Sequence, residues 1–80
     1  MAEQKYLTRD GLKKLEEELE FLRTTRRAEV ADRLHQAQED GELIENAEFE
    51  AAKNEQAFVE GRILTIELIL SESIIIEDAA

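Results

Sequence analysis

One short acidic segment, Glu39-Asp40-Gly41-Glu42-Leu43-Ile44-Glu45-Asn46, interrupts what otherwise reads as two long helices. It holds one of only three glycines, and no proline breaks the chain elsewhere. A helix, a tight turn and a returning helix place these carboxylates at the free end of a thin rod. Long helices joined by a few residues pack as antiparallel neighbours. The expected fold class is therefore all-α: a long antiparallel two-helix coiled-coil hairpin, or finger. Such a rod carries negative charge to places a globular protein does not reach.

The helical reading rests on spacing. Leu12, Leu15, Leu19 and Leu22 follow at intervals of three, four and three, the seam of a coiled coil. The next apolar seam positions are Val30, Leu34 and Ala37. From Leu22 to Val30 the chain takes eight residues, through the polar position Arg26, instead of the seven of a strict heptad. That step predicts a local shift towards an 11-residue spacing, which relaxes the left-handed supercoil. Thr8 is the expected N-cap, with Asp10 suited to the first-turn dipole. The first helix is expected from about residue 9 to about residue 39, after an extended lead-in through Leu7.

The second helix is expected to begin near Ile44 to Asn46 and to continue to about Leu70. Its expected apolar side combines Ala47, Ala51, Phe58, Val59, Ile63, Ile66 and Leu70. Small residues flank the turn, with Ala37 and Gly41 opposite Ala47, Ala51 and Ala52. Large ones lie further away, so the rod should be narrow at its tip and thicker at its base. The run Ile74-Ile75-Ile76 suits a strand, yet has no evident partner inside the chain. It is expected to dock on a second domain or on the base of the hairpin.

Eighty residues allow one small domain and no large interior pocket. Without cysteine there are no disulfides and no thiolate metal sites. No apolar run approaches the roughly 18–20 residues that cross a bilayer, and no signal pattern opens the chain. The expectation is a soluble cytoplasmic protein with no membrane partner. Charge is unevenly spread within the net −10. Residues 38–80 carry twelve acidic side chains against Lys53 and Arg62, whereas eight of each sign cancel in residues 1–37. Nonspecific nucleic-acid binding needs a basic stripe, so any dealings with nucleic acid must pass through a protein partner or a metal ion.

For the tip, the plain reading is a solvated turn whose carboxylates favour the following helix N-terminus. The sharper reading is a hard-metal site. Glu42 and Glu45 are three apart and share a face if the second helix begins early. Magnesium is typically held by one or two carboxylates together with phosphate oxygens. Two exposed carboxylates do not hold it alone, but they complete a site whose other ligands belong to another molecule. No other constellation supports autonomous catalysis: His35 is the sole histidine, and no catalytic triad, phosphate loop or Cys/His spacing occurs. Arg23, Arg26, Arg27 and Lys53 form either a basic flank or, the favoured use, ion pairs with Glu20, Glu29 or Glu55. Asn46 and Phe49 buttress the tip, or simply cap and pack.

The run from Gly41 through Glu42, Leu43, Ile44, Glu45, Asn46, Ala47, Glu48, Phe49, Glu50, Ala51 and Ala52 to Lys53 continues through Gln56 and Phe58 to Glu60-Gly61-Arg62-Ile63. With the opening Leu7-Thr8-Arg9-Asp10-Gly11-Leu12-Lys13-Lys14-Leu15, Glu17 and Leu19, it strongly resembles the Gre family of bacterial transcript-cleavage factors. The resemblance covers nearly all 80 residues. It implies an N-terminal coiled-coil finger over residues 1–80, with 71–80 as a linker towards a C-terminal FKBP-like domain absent from this sequence. It further implies entry into the secondary channel of RNA polymerase and stimulation of magnesium-dependent cleavage of backtracked nascent RNA by the polymerase active centre. The chain would then be an activator and not itself an enzyme.

Carried over by position, the catalytic and metal-holding acids are Glu42 and Glu45. Their Mg2+ would be held jointly with RNA polymerase and not by this chain alone. Asp40, Gly41, Asn46 and Phe49 fall on tip-supporting positions, and Lys53 is a candidate contact to polymerase or RNA. The implied partners are RNA polymerase and, indirectly, the nascent RNA 3′ end, met by a monomer. Members of the family usually carry Asp where Glu42 stands, often Tyr in place of Phe49, and in many cases a basic residue in place of Gln38. The lack of a basic cluster beside the tip points to the subtype releasing short fragments. Two alternatives remain: a Gre-like inhibitor occupying the same channel, and a structural coiled-coil oligomerisation module with an inert loop.

Overall fold

The computed structural model describes residues 5–40 and 46–77. Strand β1 (Lys5–Thr8) leads into helix α1 (Arg9–Phe21), a π-helical turn (Leu22–Arg26) and helix α2 (Arg27–Asp40). Helix α3 (Ala47–Glu72) returns along this arm and ends in strand β2 (Ser73–Ile76). The molecule measures 56 × 28 × 16 Å, the proportions of a rod. The two-helix hairpin read from the spacing is the architecture.

Thr8 caps the first arm as expected, its hydroxyl oxygen accepting the Gly11 N–H at 3.0 Å. The eight-residue step is resolved by a local device in place of a gradual change of repeat. In the π turn, the Arg27 N–H reaches back five residues to the Leu22 carbonyl. One extra residue is thereby absorbed, and both Leu22 and Val30 face α3. The Thr24 hydroxyl donates to the Glu20 carbonyl at 2.8 Å beside this widened turn.

Leu19, Leu22 and Val30 pack against Val59, Ile63 and Ile66, with Leu15, Leu34 and Leu70 partly buried around them. Towards the tip the buried residues are Ala37 and Ala52. The taper from large to small matches the sequence reading, but the membership of α3 differs. Its seam runs through Ala52, Val59, Ile63, Ile66 and Leu70. Phe58 and Ala51 each lie one residue away, about 100° around the helix, and so face outward. Phe58 is 71% exposed, and Ala47 and Ala51 are exposed as well.

The isoleucine run does have a partner within the chain. β1 and β2 pair in parallel, with Lys5, Tyr6, Leu7 and Thr8 opposite Ser73, Ile74, Ile75 and Ile76. Parallel strands need a long crossover, and here the whole helical hairpin is that crossover. An ion pair between Arg9 and Glu77 at 3.1 Å stands at the same end. The two strands tie the base together. No helix among the described residues is long and apolar enough to cross a membrane.

Candidate functional site at the hairpin tip

Helix α2 ends at Asp40, and Asn46 stands immediately before α3. Gly41, Glu42 and Glu45, with Leu43 and Ile44 between them, lie outside the described residues, as does the Asp40 side chain. Helix α3 begins only at Ala47. The expected sharing of a helical face by Glu42 and Glu45 lies outside the described residues.

What the structure does describe is how the two ends of this segment are held. Asn46 has extended backbone, and its side-chain oxygen accepts the Phe49 N–H at 3.0 Å. This satisfies one of the orphan donors at the start of α3. Its side-chain NH2 donates to the Ala37 carbonyl at 2.6 Å, across the hairpin in the last turns of α2. The Asn46 carbonyl accepts the first helical bond, from Glu50 N–H at 3.1 Å. A single asparagine thus caps one helix and straps it to the other. Sequence reasoning saw the cap; nothing in the residue pattern marks the Ala37 carbonyl as its second partner.

The first turn of α3 carries Glu48 and Glu50, both exposed and well placed for the helix dipole. Phe49 is half-buried between them. Lys53, one turn further, is exposed and makes no ion pair among the described residues. On the other arm His35 lies 3.1 Å from Glu39, one helical turn away.

Among the described residues the arginines are committed to partners across the hairpin and form no free basic flank. Arg27 holds Glu60 through two bonds of 2.8 and 2.7 Å, and Arg62 holds Glu18 through bonds of 2.7 and 2.8 Å. Arg23 pairs with Glu67, and both Arg26 and Arg33 pair with Glu55. Arg26 also meets Glu29 at 3.1 Å. Of the expected acids, Glu29 and Glu55 take part, while Glu60 and Glu67 replace Glu20. The hydrogen bond from Arg62 holds the Glu18 carboxyl below the usual glutamate range, and Arg27 does the same to Glu60. The matching guanidinium groups are pushed upward by the same bonds. Among the described residues, no group of three or more His, Cys, Asp or Glu is placed to hold a metal ion.

Comparison with known proteins places this architecture. Residues 5–75 match the family described as "Transcription elongation factor, N-terminal". The chain is 54% identical over 78 residues to the transcription elongation factor GreA of Thermoanaerobacter pseudethanolicus, covering 98% of this chain and 50% of that protein. Against the GreA of Halalkalibacterium halodurans it is 54% identical, over 99% of this chain and 51% of that one. Against the GreA of Bacillus licheniformis the identity is 51%, over 98% and 51%. The chain thus spans about half the length of the curated relatives it matches. On a family match that runs from β1 into β2, and on identity along nearly its whole length, the chain belongs to the GreA/GreB family of transcription elongation factors, in the N-terminal region of that family.

Proposed function

We propose that this finger enters the secondary channel of RNA polymerase and stimulates magnesium-dependent cleavage of backtracked nascent RNA by the polymerase active centre. The observation that carries the reading is the Asn46 strap, which ties α2 to α3 at the end of a 56 Å molecule, at the margin of an acid-bearing segment. Membership of a transcription elongation factor family supports the polymerase as partner and the cytoplasm as the place of action.

The donor chemistry of that segment fits magnesium: Glu42 and Glu45 offer hard carboxylate oxygens, with neither cysteine nor histidine beside them. When bound, the ion would lower the pKa of water and stabilise charge on phosphate oxygens. This chain supplies the two glutamates, and the polymerase and RNA supply the remaining ligands. Asn46 and the first turn of α3 hold the C-terminal margin of that segment; the last turn of α2 holds its N-terminal margin. Lys53 faces solvent one turn behind and is free to meet polymerase or RNA. The chain acts as an activator, and it acts as a monomer because its two arms bury each other's seams.

The test adds the protein and Mg2+ to backtracked transcription complexes and follows the RNA. Cleavage near the 3′ end is expected to accelerate. Glu42→Ala and Glu45→Ala are expected to abolish the acceleration with helicity unchanged. Acceleration that survives both changes contradicts the assignment. Inhibited elongation without cleavage would select the channel-occupying inhibitor, and a sedimentation mass rising with concentration would select the oligomerisation module.

A further inference from the structure

Each arm of the apolar seam is interrupted by charge, and the interruptions meet. Arg26 stands between Leu22 and Val30 in the first arm, and Glu55 stands between Ala52 and Val59 in α3. Their side chains are 33% and 21% exposed, and they form an ion pair. Arg33, seven residues beyond Arg26, reaches the same Glu55 and lies 3.9 Å from Glu48. The π turn ends at Arg26, so the layer begins where the widened turn closes.

Stability alone does not explain this layer. Ions withdrawn from water pay a desolvation cost, and a well-packed apolar replacement is often as stable or more so. In coiled coils, polar seam residues instead specify register. Register needs specifying on this side of the molecule. Beyond the charged layer the buried seam residues are Ala37 and Ala52, with Leu34 partly buried, and single methyl groups offer less shape to resist sliding. Towards the base, Leu19, Leu22, Ile63 and Ile66 interlock by shape.

We infer that the Arg26–Glu55–Arg33 layer is the register lock of the distal finger, with Glu55 a positioning residue for the tip carboxylates. The link to the carboxylates rests on the function proposed above. A slip of one helical turn displaces α3 by about 5 Å against α2. For reacting groups, a misplacement near 1 Å already costs about a hundredfold in rate.

The decisive variant replaces the layer by apolar residues: Arg26→Leu together with Glu55→Leu, leaving the more exposed Arg33 to solvent and Glu48. Three quantities are measured: the melting temperature, the distance distribution between spin labels at Gln36 and Asn54, and RNA cleavage at saturating protein. The expected result is an equal or higher melting temperature, a second population of label distances, and saturated cleavage lowered by about tenfold or more. The concentration giving half-maximal cleavage should not move. Glu55→Asp, which keeps the charge, should keep one population. A single native distance with parental cleavage in the double variant overturns the inference. If the parent protein stimulates no cleavage, the functional reading fails separately, and the label distances still decide the register: two populations support the lock, one refutes it.

Discussion

The two ends of this hairpin are held by different physics. At the base, leucine, valine and isoleucine side chains interlock between α1 and α3, and a two-stranded sheet closes the end. At the tip, buried alanines bring the arms together, and polar groups fix their relation: the Asn46 strap and the arginine layer on Glu55. Apolar burial is strong but indifferent to direction. Hydrogen bonds add little net stability and demand geometry. The base therefore supplies most of the folding energy, and the tip supplies placement.

Substitutions at the two ends should separate these roles. The largest stability loss is expected from Ile66→Ala at the base, where the side chain is fully buried. About 2–5 kcal/mol is typical of such a cavity, and thermal or urea unfolding reads it directly. Protein that remains folded should retain its activity. A cost below about 1 kcal/mol would mean the base is not the energetic anchor.

Asn46→Ala removes both the cap and the strap, for an expected loss of about 0.5–2 kcal/mol. Its effect on RNA cleavage should exceed that loss of stability. Asn46→Asp keeps a capping oxygen but sets a second acceptor against the Ala37 carbonyl. Melting should then change little while cleavage falls, a split that isolates the strap. Equal activity in Asn46→Asp and parent would show that the strap does not place the tip.

The exposed ion pairs should matter little at neutral pH, and their pH dependence has a definite sign. Glu18 and Glu60 have carboxyl groups held below the ordinary glutamate value by their arginine partners. Their contribution is present above the unfolded pKa of about 4.3 and is lost as pH falls through the lower folded value. Both pairs are open to solvent, so screening keeps the effect small. Comparing melting of the parent with Glu60→Gln across pH should show a slight difference near neutrality that disappears in acid. A difference that grows in acid would reverse the assignment. Smaller still is Phe58→Ala, whose exposed ring should leave stability within about 0.5 kcal/mol of the parent.

Much of this was legible in the residues because it is local. The leucine spacing, the Thr8 cap and the long return helix depend on neighbours a turn apart, and each is where the pattern put it. The eight-residue step from Leu22 to Val30 announced an irregularity but not its form, since a π turn and a drifting repeat leave the same spacing. Phe58 reads as inward from its apolar character alone; the phase set by Val59 and Ile63 turns it to solvent. The strand pair joins Lys5 to Ser73 across the whole hairpin, and no local pattern encodes such a distant partner. Most cross-hairpin ion pairs were hidden for the same reason, because they depend on the register of one arm against the other. At the tip, chemistry was legible as a run of acids, whereas the Asn46 strap needed the fold.

The most direct measurement is the magnesium dependence of RNA cleavage in backtracked complexes, with and without the protein at saturation. If Glu42 and Glu45 contribute ligands to an ion shared with the polymerase, the parent protein should lower the half-saturating Mg2+ concentration. The double variant Glu42→Ala/Glu45→Ala should leave it where the polymerase alone sets it. An equal lowering by that variant would show that the finger acts without its tip carboxylates.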